Sequence, residues 1–136
     1  MEEKKRWGAM TTDSQQQDEK KMILHVCRRE ILRPIRDEIL RLSGFAVEST
    51  CHRSEAIEMF QANSFELVLV DVEGDDGVEH AEHLCVEVRT MHPGQLAAFV
   101  CNWRVANLSD CPDEILRTEF DPDAFVAGVK KLLGPA

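Results

Sequence analysis

Nowhere in this 136-residue chain does an apolar run approach the roughly 20 residues that a membrane-spanning helix needs. The N-terminus lacks the apolar stretch of a secretory signal. Cysteines are few and unpaired in spacing: there are five, an odd count, with no C-x-x-C. That excludes a disulfide framework and reads as reduced, intracellular thiols. Positive charge is also short, with 16 Lys and Arg against 25 Asp and Glu and a net charge of −9. A sequence-independent grip on nucleic acid, which depends on neutralising phosphates, is thereby excluded. No G-x-S-x-G elbow, P-loop or G-x-G-x-x-G turn is present, so the familiar signatures of a hydrolase, an NTPase or a dinucleotide enzyme are missing. Nor is there an internal repeat. We expect a cytoplasmic, non-enzymatic protein that touches neither nucleic acid nor membrane directly.

What is present describes one ordinary globular domain. Hydrophobic residues make up 43% and charged residues 30% of a chain long enough for a single core. Residues 1–21 differ, with Glu-Glu-Lys-Lys-Arg, Thr-Thr-Asp-Ser and Gln-Gln-Gln and few apolar side chains beyond Trp7. Such a segment cannot bury enough surface to offset its ordering entropy, so we expect a disordered tail followed by one domain over 22–136.

From Lys21 onward, strand and helix signals alternate. Met22 to Val26 is a short apolar strand. Ile31, Leu32, Ile35, Ile39 and Leu42 fall at helical spacing, with Pro34 in the first turn and Ser43-Gly44 closing the helix. Phe45 to Ser49 forms the second strand, and Ser54 is placed to cap the next helix. Phe65 to Asp71 forms the third strand, a helix runs from about Val78 to Met91, and Leu96 to Val100 is the fourth strand. Ile115-Leu116 is a weak fifth strand. Asp121-Pro122 opens a last helix with the stripe Phe125, Val126, Val129, Leu132 and Leu133. Strands alternating with helices imply a parallel sheet wound on both faces. For this size the flavodoxin-like (βα)5 order 2-1-3-4-5 is expected.

The third strand is the most telling segment. Leu67-Val68-Leu69-Val70 is near-continuously apolar, as a strand buried on both faces must be, and it ends in Asp71. In open α/β sheets the chemistry lies just beyond the carboxyl ends of the strands. A nucleophile, a phosphoacceptor or a metal ligand would stand where Asp71 stands. The loop after it, with Glu73, Gly74, Asp75, Asp76 and Gly77, reads as a solvated acidic turn. Cys27, Cys51 and Cys101 all fall near the carboxyl edge in this strand order, which leaves open a thiol-redox or soft-metal site. His80 and His83, at i and i+3 with Glu79 and Glu82 beside them, read as a solvated helix surface.

The chain resembles the receiver domain of bacterial two-component response regulators over roughly residues 22 to 133. The resemblance rests on Ile23-Leu24-His25-Val26, on Gly44-Phe45-Ala46-Val47 with Glu55-Ala56, on Leu67-Val68-Leu69-Val70-Asp71-Val72, and on Phe120-Asp121-Pro122. It implies that Asp71 is the phosphoacceptor position. The family's Mg²⁺-binding acidic pair then falls on Cys27 and Arg28, and its metal-binding carbonyl on Glu73. The switch hydroxyl falls on Cys101, the phosphate-binding lysine on Thr118, and the aromatic switch residue on Ile115. A thiol and a guanidinium cannot replace two hard oxygen ligands, so no metal is expected; Mg²⁺ enters only if phosphorylation persists. Between Cys101 and Thr118 the chain is too short for a full fourth helix, which we expect shortened or missing.

Phosphoryl transfer needs positive charge on the equatorial oxygens, and both its family sources are replaced here. The resemblance therefore implies a degenerate, or pseudo-, receiver that signals through a protein partner. That partner would be a histidine kinase, a phosphotransfer protein, an output protein or a second copy of the chain. Arg28 or Arg29 could lie near Asp71 and act as a fixed cation in place of the metal, in which case Asp71 is ion-paired. The partner surface is expected around the fourth segment, the fifth strand and the last helix, with Trp103 and Ile115 as anchors. A working relay receiver phosphorylated on Asp71, and a redox or soft-metal module on Cys27, Cys51 and Cys101, are the alternatives.

Overall fold

A computed structural model describes residues 20–72, 74–101, 110–117 and 121–134, with the backbone alone at 74–76. The elements are β1 Met22–Val26, α1 Leu32–Leu42, β2 Ala46–Thr50, α2 Arg53–Ala62, β3 Leu67–Asp71, α3 Gly74–Met91, β4 Ala97–Cys101, β5 Glu114–Arg117 and α4 Pro122–Leu133. All five strands are parallel, in the order β2-β1-β3-β4-β5, as expected. Among the described residues there are four helices. Residues 102–109, with Trp103, lie outside the description, as do Glu73 and Thr118; Asp110–Asp113 is not helical.

Two-residue alternation along the strands sorts the core into two layers. Leu24, Val26, Val68, Val70, Ala97 and Phe99 pack with Ala56 and Phe60 of α2 and with Ala81, Leu84 and Val88 of α3. On the opposite face Ile23, Val47, Leu67, Leu69, Ala98 and Val100 pack with Leu40 of α1 and with Phe125 and Val129 of α4. β3 and β4 are buried along their whole length, which is why they read as continuous apolar runs.

The helix ends have local causes. Gly44, at φ +100°, closes α1. Its N–H donates to the Arg41 carbonyl and that of Phe45 to the Leu40 carbonyl, both at 3.1 Å, the paired bonds of a Schellman motif. Asp121 caps α4 by accepting from the N–H groups of Asp123 and Ala124, with Pro122 at the first helical position. Two boundaries differ from the sequence expectation. His52, not Ser54, holds the N-cap position of α2. α3 begins at Gly74 rather than near Val78, so the acidic segment from Gly74 to Gly77 is the first turn of a helix, not a loop. Acidic residue types favour that position because of the helix dipole.

The larger difference is the rotation of α1. Only part of its expected apolar stripe faces inward: Ile39 packs against the core and Leu32 is half-buried, but Ile31, Ile35 and Leu42 are 81%, 53% and 79% exposed. Buried instead are Arg36, Asp37 and Leu40. Polar partners on the sheet, described below, hold this face inward at the expense of the apolar one. The helix orientation is directly testable. Leu40→Ala is expected to cost about 2–5 kcal/mol, whereas Ile35→Gln should stay within about 0.5 kcal/mol of wild type. Urea unfolding of the two variants measures both, and equal losses would contradict this orientation of α1.

Candidate functional site

At the carboxyl edge of the sheet, four ionisable groups meet below the surface. His25 lies at the fourth position of β1, fully buried, on the face that α1 covers. Its Nε2 is 2.5 Å from Asp71 Oδ2 and its Nδ1 is 2.7 Å from Asp37 Oδ1. Asp71 ends β3, and Asp37 comes down from α1. Arg36, the neighbour of Asp37, places Nε 3.0 Å from Asp71 Oδ1. That contact is an ion pair by distance, but its N–H is not aligned for a hydrogen bond. The guanidinium lies over the Phe125 ring of α4, 5.1 Å from its centroid.

The chemistry of the donors fixes the protonation. Ionised carboxylates only accept, so an imidazole between two of them must donate from both nitrogens and carry a charge. Burial by itself pulls the His25 pKa down. The hydrogen bonds to Asp37 and Asp71, and the charges of both, outweigh it and hold the group above its ordinary 6.5. Burial pushes Asp37 up, but the hydrogen bonds from His25 and Ser49 and the charges of His25 and Arg41 bring it below 3.8. His25 and Arg36 thus oppose the carboxylates of Asp37 and Asp71, and Arg33, 3.7 Å from Asp37 Oδ2, adds a further cation at the rim. A rim completes it. Ser49 Oγ donates to Asp37 Oδ2 at 2.5 Å, and Arg33 donates to Ser49 at 2.8 Å and to the Cys51 sulfur at 3.2 Å.

The positions singled out from sequence are distributed around this cluster. Cys27 follows β1 and is buried; Val26 pairs with Val70 in the parallel register, which carries Cys27 alongside Asp71. Its thiol donates to the Arg29 carbonyl at 3.5 Å. Burial first, then the Asp71 charge, pushes that thiol up to about 12. Arg28 is exposed and lines a cleft of about 420 Å³ that reaches Asp71 and also meets Cys51, His52, Arg53 and His80. Neither Arg28 nor Arg29 is the cation on Asp71. After Cys27 the chain turns outward, and Arg36, in the second turn of α1, points back to the sheet. Cys101 ends β4 in the opposite layer, beneath α2 and α3. Among the described residues, therefore, the thiols of Cys27, Cys51 and Cys101 do not form one cluster; Cys27 is grouped with His25 and Asp71 instead. His80 and His83 are exposed on α3 and belong to no such group. Ile115 is half-buried and packs against the core.

Sequence reasoning missed His25, Arg36 and Asp37. The signals were available: a histidine inside an otherwise apolar strand, and an Arg-Asp pair in the middle of a helix that a sheet must cover.

A parallel five-stranded sheet in this order, with an aspartate at the end of β3, is the fold of response-regulator receiver domains. Comparison with solved structures bears this out. The response regulator TrrA from Thermotoga maritima, in complex with Mg²⁺ and BeF, has a TM-score of 0.69 and 25% identity, covering 82% of this chain and 98% of that one. The same regulator in complex with the histidine kinase ThkA also has a TM-score of 0.69 and 25% identity, covering 84% and 99%. A CheY-like receiver domain from Methanospirillum hungatei has a TM-score of 0.68 and 23% identity, covering 83% and 94%. No protein-family profile matches the chain, and no curated protein matches it. Among the described residues, no helix is long and apolar enough to cross a membrane.

Charge balance at Asp71 has a measurable consequence. Asp71→Asn keeps the shape but leaves His25 and Arg36 short of a counter-charge, and is expected to cost about 3 kcal/mol. In a site holding several unbalanced carboxylates the same change would stabilise. The pH dependence follows from the shifts. The raised His25 contributes stability in full below pH 6.5 and loses it as pH climbs through the folded value. The lowered Asp37 contributes above pH 3.8 and loses its share as acid reaches its folded value. Melting temperature should therefore peak between these limits and fall on the alkaline side. His25→Gln should lack the alkaline fall, and an unchanged fall in that variant would assign it to another group.

Proposed function

We propose that this chain is a receiver-like signalling domain in which Asp71 is a structural anion rather than a working phosphoacceptor, and which acts by binding a protein partner. The carrying observation is that both carboxylate oxygens of Asp71 are engaged by residues of the chain itself, Oδ2 with His25 and Oδ1 with Arg36. A carboxylate attacks phosphorus through a free oxygen, with a cation holding the transferred group. Here the cations face the carboxylate from within the fold, and Cys27 and Arg28 occupy the places of the acidic pair. The domain is held in one electrostatic arrangement and does not switch through a metal and a phosphoryl group.

The partner class we favour is a histidine kinase, a phosphotransfer protein or an output protein. TrrA in complex with ThkA supports it by analogy. The exposed Ile31, Ile35 and Leu42 on one side of α1 offer an apolar surface suited to a partner helix. They join the region of Trp103 and Ile115 as candidate contacts. A soluble, cytoplasmic, non-enzymatic role accords with this, and a second copy of the chain is the competing occupant.

Incubation with a small-molecule phosphodonor and Mg²⁺, followed by intact mass within minutes, tests the role of Asp71. The expected result is no phosphoryl gain under conditions that label an ordinary receiver. A Mg²⁺-dependent gain of one phosphoryl group, abolished by Asp71→Asn, would overturn it in favour of a working relay receiver.

A further inference from the structure

His25, Cys27 and Asp71 bring an imidazole nitrogen, a thiol sulfur and a carboxylate oxygen within 4.8 Å of one another, and all three residues are buried. We propose that these residues form a binding site for a borderline-soft divalent ion of the Zn²⁺ or Co²⁺ type, with His25 Nε2, Cys27 Sγ and Asp71 Oδ2 as ligands. The donor set argues for this class of ion. Nitrogen and sulfur donors select zinc-like ions, whereas Mg²⁺ wants oxygen alone. The proposal is independent of whether Asp71 ever carries a phosphoryl group.

The surroundings are those of a supported metal site. A ligating histidine commonly donates its other ring nitrogen to a carboxylate, which fixes the ring and raises its basicity. Asp37 already accepts from His25 Nδ1 at 2.7 Å and is itself held by Ser49 at 2.5 Å. Arg36 keeps its contact with Oδ1 of Asp71, while Oδ2 exchanges its contact with His25 Nε2 for the ion. A cleft lined by Arg28 and Asp71 opens beside these residues. Tetrahedral zinc bonds of about 2.0–2.3 Å require ligand atoms about 3.3–3.8 Å apart, so the His25–Asp71 contact of 2.5 Å opens on binding, while all three ligand atoms already lie within 4.8 Å of one another.

The exchange also balances. One divalent ion enters and two protons leave, one from His25 Nε2 and one from Cys27 Sγ. The total charge of the buried cluster is the same before and after. An ion of this class can therefore replace the proton that His25 shares with Asp71 without adding an uncompensated charge to the core.

The experiment is a titration of chelator-treated protein with Co²⁺, reading the thiolate-to-metal charge-transfer band in the near ultraviolet, with Zn²⁺ then added in competition. One equivalent of Co²⁺ should produce the band, and stoichiometric Zn²⁺ should remove it while excess Mg²⁺ does not. Cys27→Ala and Cys27→Ser, checked for native circular dichroism, should each bind at least a hundredfold more weakly. Cys85 and Cys111, whose sulfurs lie 2.6 Å apart, are the competing thiol pair. The variant Cys85→Ala with Cys111→Ala should keep the band. A melting-temperature rise with Zn²⁺ should be present in wild type and absent in both Cys27 variants. No charge-transfer band, or a band that survives Cys27→Ala and disappears without Cys85 and Cys111, would overturn the proposal.

Discussion

The hydrogen bonds that place His25 between Asp37 and Asp71 are the constraint from which the rest of the carboxyl edge follows. A buried carboxylate at a strand end must find compensating charge, because an unpaired one costs several kcal/mol. His25 supplies it from the next strand and Arg36 from the covering helix. Asp37 then balances the charge of His25. Once these four groups are joined, α1 has no freedom of rotation. Its polar residues turn to the sheet, and Ile31, Ile35 and Leu42 turn to solvent. A helix positioned by an ion network in preference to part of its own apolar stripe leaves exposed hydrophobic side chains, which links this cluster to the partner surface we propose.

Most of the fold was legible in the sequence because its signals are local. The apolar runs of β1, β3 and β4, the Gly44 that ends α1 and the Asp121-Pro122 pair that starts α4 each act over a few residues. The first turn of α3 was not legible, because glycines and aspartates read as a turn when the helix dipole is left out. The orientation of α1 was not legible for a different reason. Periodicity measures which helix face is apolar, not which face has partners, and His25 and Asp71, which hold Asp37 and Arg36 inward, lie 12 or more residues away on other elements. The same limit hid His25. The position of Asp71 could be read from its strand, whereas the identity of its cation required the tertiary structure, and Arg36 took the place expected of Arg28 or Arg29.

The cluster also explains how a receiver fold can persist without the receiver's charge pattern. The sheet edge that would gather carboxylates around a hard metal ion here gathers two carboxylates around two cations of the chain. The first arrangement is repulsive until a metal arrives; the second carries its own counter-charges as it folds. In the proposed function the fold is retained without dependence on Mg²⁺, and signalling rests on what the surface can bind. The thiol of Cys27, pushed up by burial and by the Asp71 charge, adds a soft donor beside the two carboxylates.

The protonation of His25 tests this account most directly. Nitrogen-15 spectra of the imidazole in chelator-treated protein at neutral pH should show both Nδ1 and Nε2 protonated, each proton shifted far downfield by a short bond to a carboxylate. A neutral ring with one unprotonated nitrogen would mean that Asp71 is not held by a buried cation, and the account of the site would be wrong.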